Sequence, residues 1–117
     1  MAKNYRRSFL AAFNGIGLFF QKEFNAKFHL FASILVIVLG FYYNLDSTQW
    51  LFLCVAISGV FVSEIFNTAI EQLCNRLTKE EDSMIKIVKD LSAGAVLVSV
   101  IFAVVAALII FIPKIEL

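Results

Sequence analysis

The chain has 117 residues, of which 61% are hydrophobic and 16% charged, with a formal net charge of +1. That length and composition indicate one membrane domain and leave no room for a separate soluble nucleotide-binding domain beside the apolar segments. The charges gather at 3–29 and 71–90, so function is expected at those two segments, with no nucleic-acid partner.

From about residue 5 to 24, Phe9, Phe13, Ile16, Phe20 and Phe24 recur at steps of three and four, with Arg6, Arg7, Gln21 and Lys22 largely on other faces. The spacing predicts an amphipathic helix lying on the membrane surface. Asn14, Gly15 and Gly17 interrupt the apolar stretch without a small-residue cleavage pattern, so a removed signal peptide is not expected. Arg6 and Arg7 can meet either lipid phosphate or nucleotide phosphate, and spacing does not decide between them.

A polar patch, Glu23-Phe24-Asn25-Ala26-Lys27-Phe28-His29, precedes a first span expected at about 26–43. The connection Asn44-Leu45-Asp46-Ser47-Thr48 lacks Lys and Arg and is flanked by Tyr42, Tyr43 and Trp50, which suit a headgroup belt. Ser47 or Thr48 is the expected cap of a second span at about 49–71.

Within that second span, Glu64, Asn67 and Glu71 stand at intervals that place them on one helix face. An ionisable residue inside a spanning helix costs roughly 2.5–3.5 kcal/mol on insertion scales, which marks this face as a functional site, with structural pairing as the competing explanation. Glu64 lies near the inner hydrocarbon boundary and Glu71 ~10 Å beyond it, toward water. Such a gradient suits a site that joins a lipid hydroxyl to a water-soluble reagent.

A charged cytoplasmic linker is expected at about 72–90, with Thr78 and Glu81 as a capping box and helix resuming near Ser83. A third span at about 91–112 should stop at Pro113, and its stripe of Ser92, Ala95, Ser99, Ala103 and Ala106 reads as close helix packing without chemistry. Cys54 and Cys74 show no metal-ligand spacing and read as packing residues. Basic residues from Lys3 to Lys89 fall on one side of this arrangement and Lys114 on the other, which predicts a cytoplasmic N-terminus and linker, and a C-terminus outside.

Glu23 and Glu71, brought together at the inner surface, have the hard oxygen chemistry for Mg²⁺ held jointly with substrate phosphates. Lys89 then offers a point charge to those phosphates, and Glu64 a general base for an alcohol at headgroup depth. Three helices shield such a face only partly, so a homo-oligomer with composite sites is expected. No Walker-type glycine-rich loop is present in the sequence, which argues against a P-loop enzyme.

Glu64-Ile65-Phe66-Asn67-Thr68-Ala69-Ile70-Glu71, followed by Lys89-Asp90-Leu91-Ser92-Ala93-Gly94-Ala95-Val96, resembles the small bacterial integral-membrane lipid kinases, the prokaryotic diacylglycerol kinase and undecaprenol kinase family. The likeness covers nearly the whole chain. It implies an all-α homotrimer in the bacterial inner membrane, each subunit a surface helix and three spans, transferring the γ-phosphate of MgATP to a membrane alcohol. The family's Glu-x-x-Asn-[Ser/Thr]-Ala-[Ile/Val]-Glu motif implies Glu64 as catalytic base, Asn67 as an orienting group and Glu71, with Glu23, as metal ligands. Lys89 and Asp90 match the family's nucleotide-contacting pair, and Glu80 an acidic residue on the nucleotide side. Asp82 stands where many members carry His, and Lys27 where Arg is common. Glu23, Asn25 and His29 resemble the Glu-x-Asn-x-x-x-His arrangement of the undecaprenol kinase branch, which favours that acceptor over diacylglycerol. A non-enzymatic oligomer that conducts ions or binds a partner is the alternative from another class.

Overall fold

The computed structural model describes residues 4–80 and 82–115. Over them the chain forms four helices, α1 (Tyr5–Lys22), α2 (Phe24–Tyr42), α3 (Ser47–Leu77) and α4 (Ser83–Phe111), then a 3₁₀ turn (Ile112–Lys114). Segments Phe24–Tyr42, Ser47–Leu77 and Ser83–Lys114 are long and apolar enough to cross a membrane. Large apolar side chains such as Phe31, Leu51, Leu97, Val98 and Ile109 face outward, as a helical protein in lipid requires: the helices satisfy their own backbone, and hydrocarbon replaces water around them.

Each break in the helical path has a local cause. Asn4 caps α1, its side-chain oxygen accepting from Arg7 N at 3.2 Å. Glu23 alone separates α1 from α2. Its extended backbone (φ −100°, ψ 116°) closes one helix by donating to Phe19 O at 2.9 Å, and its own carbonyl accepts from Ala26 N at 3.3 Å. The side chain of the break residue is thereby left for other use.

Asn44 takes a left-handed conformation (φ 53°) after α2. Leu45 N then donates to Gly40 O at 3.2 Å and Asn44 N to Phe41 O at 3.3 Å, the paired closure of a Schellman motif. The α3 cap is Asp46, not Ser47 or Thr48. Its carboxylate accepts from Gln49 N at 2.8 Å while Gln49 Oε1 accepts from Asp46 N at 3.1 Å. A carboxylate with Gln three residues on satisfies two otherwise orphaned donors, which neither hydroxyl residue is placed to do.

This end is pinned by Leu45, Leu53 and Ile110, with Tyr43, Trp50 and Phe111 packed around them. Gly40 admits the Trp50 ring: a Cβ at residue 40 would lie 2.6 Å from Trp50 Cη2.

Toward the other end α3 runs on to Leu77 and α4 begins at Ser83, so helix extends into both ends of the 72–90 segment. Asp82 caps α4, accepting from Met84 N at 2.8 Å and Ile85 N at 3.2 Å. Thr78 Oγ1 accepts from Glu80 N at 3.1 Å, whereas Glu81, the expected partner of Thr78, lies outside the described residues.

Helices α3 and α4 are the most extensively packed pair; α1 and α2 each lie against α3. Ser92 and Ala106 of the small-residue stripe are buried, and Ser99 Oγ meets Ser63 Oγ of α3 at 2.7 Å. Ala95 instead is exposed: at about 100° per residue it stands about 60° around the helix from Ser92, further than Ser99, Ala103 or Ala106. Phe19 and Phe20 dock α1 on Phe61 of α3, with ring centroids 6.4 and 6.0 Å apart.

Candidate functional site

Along α3 the polar residues Glu64, Asn67, Glu71 and Asn75 follow one another at helical spacing, and the structure supplies each with a partner. Glu64 is buried, at 7% exposure, with Oε1 2.7 Å from His29 Nε2 on α2. Asn67 Oδ1 accepts from Ser92 Oγ of α4 at 2.5 Å, and its Nδ2 donates to Glu71 Oε1 at 3.5 Å. Asn75 Oδ1 accepts from Lys89 Nζ of α4 at 2.7 Å. Glu23, at the α1–α2 break, is tied back to α3 by Thr68 Oγ1, which donates to its Oε2 at 3.3 Å.

These contacts surround two spaces. A cavity of about 140 Å³ is lined by Glu23, Asn25, Glu64, Asn67 and Thr68, with Ala93 and Val96 of α4 as its apolar wall. A larger open groove of about 870 Å³ lies between the end of α3 and the start of α4, where Asn75, Glu80, Asp82, Lys86 and Lys89 line it. A steep change from apolar to charged surroundings thus follows the α3 face, over a rise of ~16 Å from Glu64 to Asn75.

Of the residues singled out in the sequence, Glu23, Asn25, Glu64, Asn67 and His29 come together around the small cavity or against its base. Glu71 stands one turn further on, on Asn67. Glu80, Asp82 and Lys89 meet at the larger groove, although one Asp82 oxygen is engaged in capping α4. Asp90 does not line that groove itself but pairs with Lys86, which does, Nζ to Oδ2 at 2.7 Å. Arg6 and Arg7 are exposed at the far end of α1. Within one chain they stand some way off, ~25 Å along the helix from Glu23.

Four site residues were not recognised from sequence: Thr68, Asn75, Ser92 and, as a partner for Glu64, His29. Asn75 was legible, since it continues the Glu64–Asn67–Glu71 face by four residues. In the sequence Ser92 reads as packing alone, yet its hydroxyl holds Asn67. Among the described residues, no three His, Cys, Asp or Glu side chains converge on a point that would hold a metal by protein ligands alone.

Three apolar helices carrying a buried carboxylate, with a polar line leading from it to a charged groove, define a membrane-embedded site that reaches toward water. The comparisons give that class its chemistry. A family model described as prokaryotic diacylglycerol kinase matches residues 10–111. The undecaprenol kinase of Bacillus subtilis is 35% identical over 108 residues, covering 92% of this chain and 88% of that protein. A diacylglycerol kinase of Synechocystis sp. is 29% identical over 114 residues, covering 97% of this chain and 65% of that protein. The chain belongs to the prokaryotic diacylglycerol kinase family, and it is a lipid kinase. Membership of a kinase family favours the enzymatic reading of this chain over the non-enzymatic one.

Proposed function

We propose that this kinase transfers the γ-phosphate of MgATP to undecaprenol, with Glu64 as the general base. The observation that carries the reading is the position of Glu64: buried beside an apolar groove on one side, and lining the cavity that holds Glu23 and Asn67 on the other. The similarity to the Bacillus subtilis undecaprenol kinase supports this acceptor.

In the reaction the lipid hydroxyl gives its proton to the Glu64 carboxylate as its oxygen bonds to the γ-phosphorus. The bond from that phosphorus to the β,γ-bridging oxygen breaks, and ADP departs with the electron pair. Asn67, held by Ser92, and Asn25 orient the acceptor end. Lys89, with Asp90, meets the nucleotide, and Glu80 and Asp82 belong to the nucleotide side of the larger groove. Arg6 and Arg7 serve as phosphate contacts, from lipid or from a neighbouring subunit's nucleotide.

Glu23 and Glu71 fit Mg²⁺ by donor chemistry. Both are carboxylates, and Thr68 draws the Glu23 side chain to α3 one turn from Glu71. Two carboxylates without a third protein ligand is the usual arrangement where phosphate oxygens complete the shell. Bound there with ATP, Mg²⁺ supplies charge neutralisation on the transferring phosphoryl group.

The protein works as a homotrimer in the bacterial inner membrane. α1 lies amphipathically on the cytoplasmic surface, and the C-terminus is outside. Support for this orientation comes from Arg6, Arg7, Lys22, Lys27, Arg76, Lys79, Lys86 and Lys89 on the site's side against Lys114 at the opposite end, and for the surface placement of α1 from its exposed Phe9 and Phe13.

The test is phosphate transfer from labelled MgATP by purified protein in mixed micelles, offered undecaprenol and diacylglycerol separately and together. Preference for undecaprenol is expected; preference for diacylglycerol assigns phosphatidic acid as product instead. Glu64→Gln should retain assembly and lose turnover by roughly 10²- to 10⁴-fold, the range for removal of a general base. Wild-type turnover in that variant removes Glu64 from the role.

A further inference from the structure

His29 stands where two differently lined spaces meet. It borders an apolar groove of about 270 Å³ between α2, α3 and α4, walled by Ala32, Ala56, Val60 and Ala103. Its Nε2 is 2.7 Å from Glu64 Oε1, and Glu64 in turn lines the polar cavity. A glutamate side chain has enough free torsions to swing between these spaces, so a base here needs something to hold it. Beside the imidazole the Phe28 ring lies edge-on with centroids 5.7 Å apart, while Ser33 Oγ donates to the backbone carbonyl of His29 at 2.7 Å within α2. With Oε1 engaged by a ring nitrogen, the second carboxylate oxygen is the one left to accept a proton.

We propose that His29 is a positioning residue for Glu64: its Nε2–H donates to Oε1 and so presents Oε2 to a lipid hydroxyl arriving from the apolar groove. The inference rests on the reading of Glu64 as base. Misplacement of a reacting group by about 1 Å costs on the order of 100-fold, so loss of this bond should appear in turnover. Binding of the nucleotide, at the other end of the polar line, should not change.

The experiment compares His29→Leu, His29→Gln, Glu64→Gln and the double variant Glu64→Gln/His29→Leu with the native protein, in micelles containing undecaprenol. His29→Leu is expected to lower kcat roughly 10- to 100-fold with KM for ATP held within about twofold. His29→Gln, whose side-chain amide can donate from nearly the same place, should recover most of that loss. In the Glu64→Gln background, His29→Leu should change kcat by less than about threefold, because residues acting as a unit are not additive. Size-exclusion profile and thermal midpoint check that each variant assembles. Where His29→Leu does not, His29→Gln against the shorter His29→Asn makes the same comparison, with the longer amide expected to be faster.

Unchanged kcat in His29→Leu with loss in Glu64→Gln overturns this inference and leaves the base assignment standing. Equal losses in Leu and Gln variants, or a full further loss on top of Glu64→Gln, also overturn it. Wild-type turnover in Glu64→Gln overturns both.

Discussion

Replacing Ser92 by Ala removes one oxygen from the packed face of α4 and should slow the enzyme without disassembling it. The Ser92 hydroxyl, 8% exposed as a residue, lies 2.5 Å from Asn67 Oδ1 and 3.1 Å from Lys89 O. Lys89 O keeps its place as a helical carbonyl, so the change falls on Asn67, whose remaining side-chain contact is the long 3.5 Å bond to Glu71. Hydrogen bonds between membrane helices are worth about 0.6 kcal/mol on average and up to about 1.7. If that free energy is what holds Asn67 in its working rotamer, then at 1.36 kcal/mol per decade its loss slows turnover roughly 3- to 20-fold. Stability should fall by the same small amount, too little to unfold the protein. The assay is kcat and KM for ATP and lipid in mixed micelles, with a thermal midpoint in parallel. Wild-type kcat in Ser92→Ala alongside a large loss in Asn67→Ala would refute the reasoning, since Asn67 would then be oriented by something other than α4.

Other perturbations separate the two ends of the bundle. Lys89→Met should raise KM for ATP about tenfold, the loss of one charge-assisted contact, with KM for lipid unchanged; the two Michaelis constants check it, and a change confined to lipid KM would move Lys89 away from the nucleotide. Asp46→Ala removes the carboxylate that accepts from Gln49 N, while the N–H of residue 46 can still donate to Gln49 Oε1; it should cost about 1 kcal/mol of stability, read as a lower thermal midpoint, with kcat unaltered. Gly40→Ala forces a Cβ against Trp50, whose ring also lies tilted against Phe41 at a centroid distance of 4.8 Å. Overpacking of about 1–3 kcal/mol exceeds the ~1 kcal/mol that Ala gains over Gly in a helix, so a net loss is expected, with altered fluorescence from the single tryptophan. A raised midpoint would mean that the ring swings aside freely.

Much of the candidate site's polar face is legible in the sequence because it is written along single helices. Glu64, Asn67 and Glu71 share a face by spacing alone, whatever packs against it, and Asn75 continues the same series. Contacts between helices were a different matter. Ser92 was indistinguishable from Ala95 and Ser99 as a small residue in an apolar helix, yet it meets Asn67 while Ala95 is exposed. Asp90, adjacent to Lys89 in sequence, turns to Lys86, because neighbouring residues point about 100° apart around a helix. The α3 cap falls one residue before Ser47 and two before Thr48, since Asp46, Ser47 and Thr48 are all good caps and only the reciprocal bond with Gln49 selects among them.

The amino-acid sequence by itself determined that three segments are long and apolar enough to span a membrane and that carboxylates interrupt the second of them, because hydrocarbon selects on local composition and a helix repeats every 3.6 residues whatever surrounds it. Only the tertiary structure decided that Glu64 faces His29, that Ser92 holds Asn67, that Glu23 folds back to Thr68 and that Lys89 reaches Asn75. Those pairings depend on how far each helix is rotated about its own axis and slid against its neighbour, and side-chain packing between helices sets both.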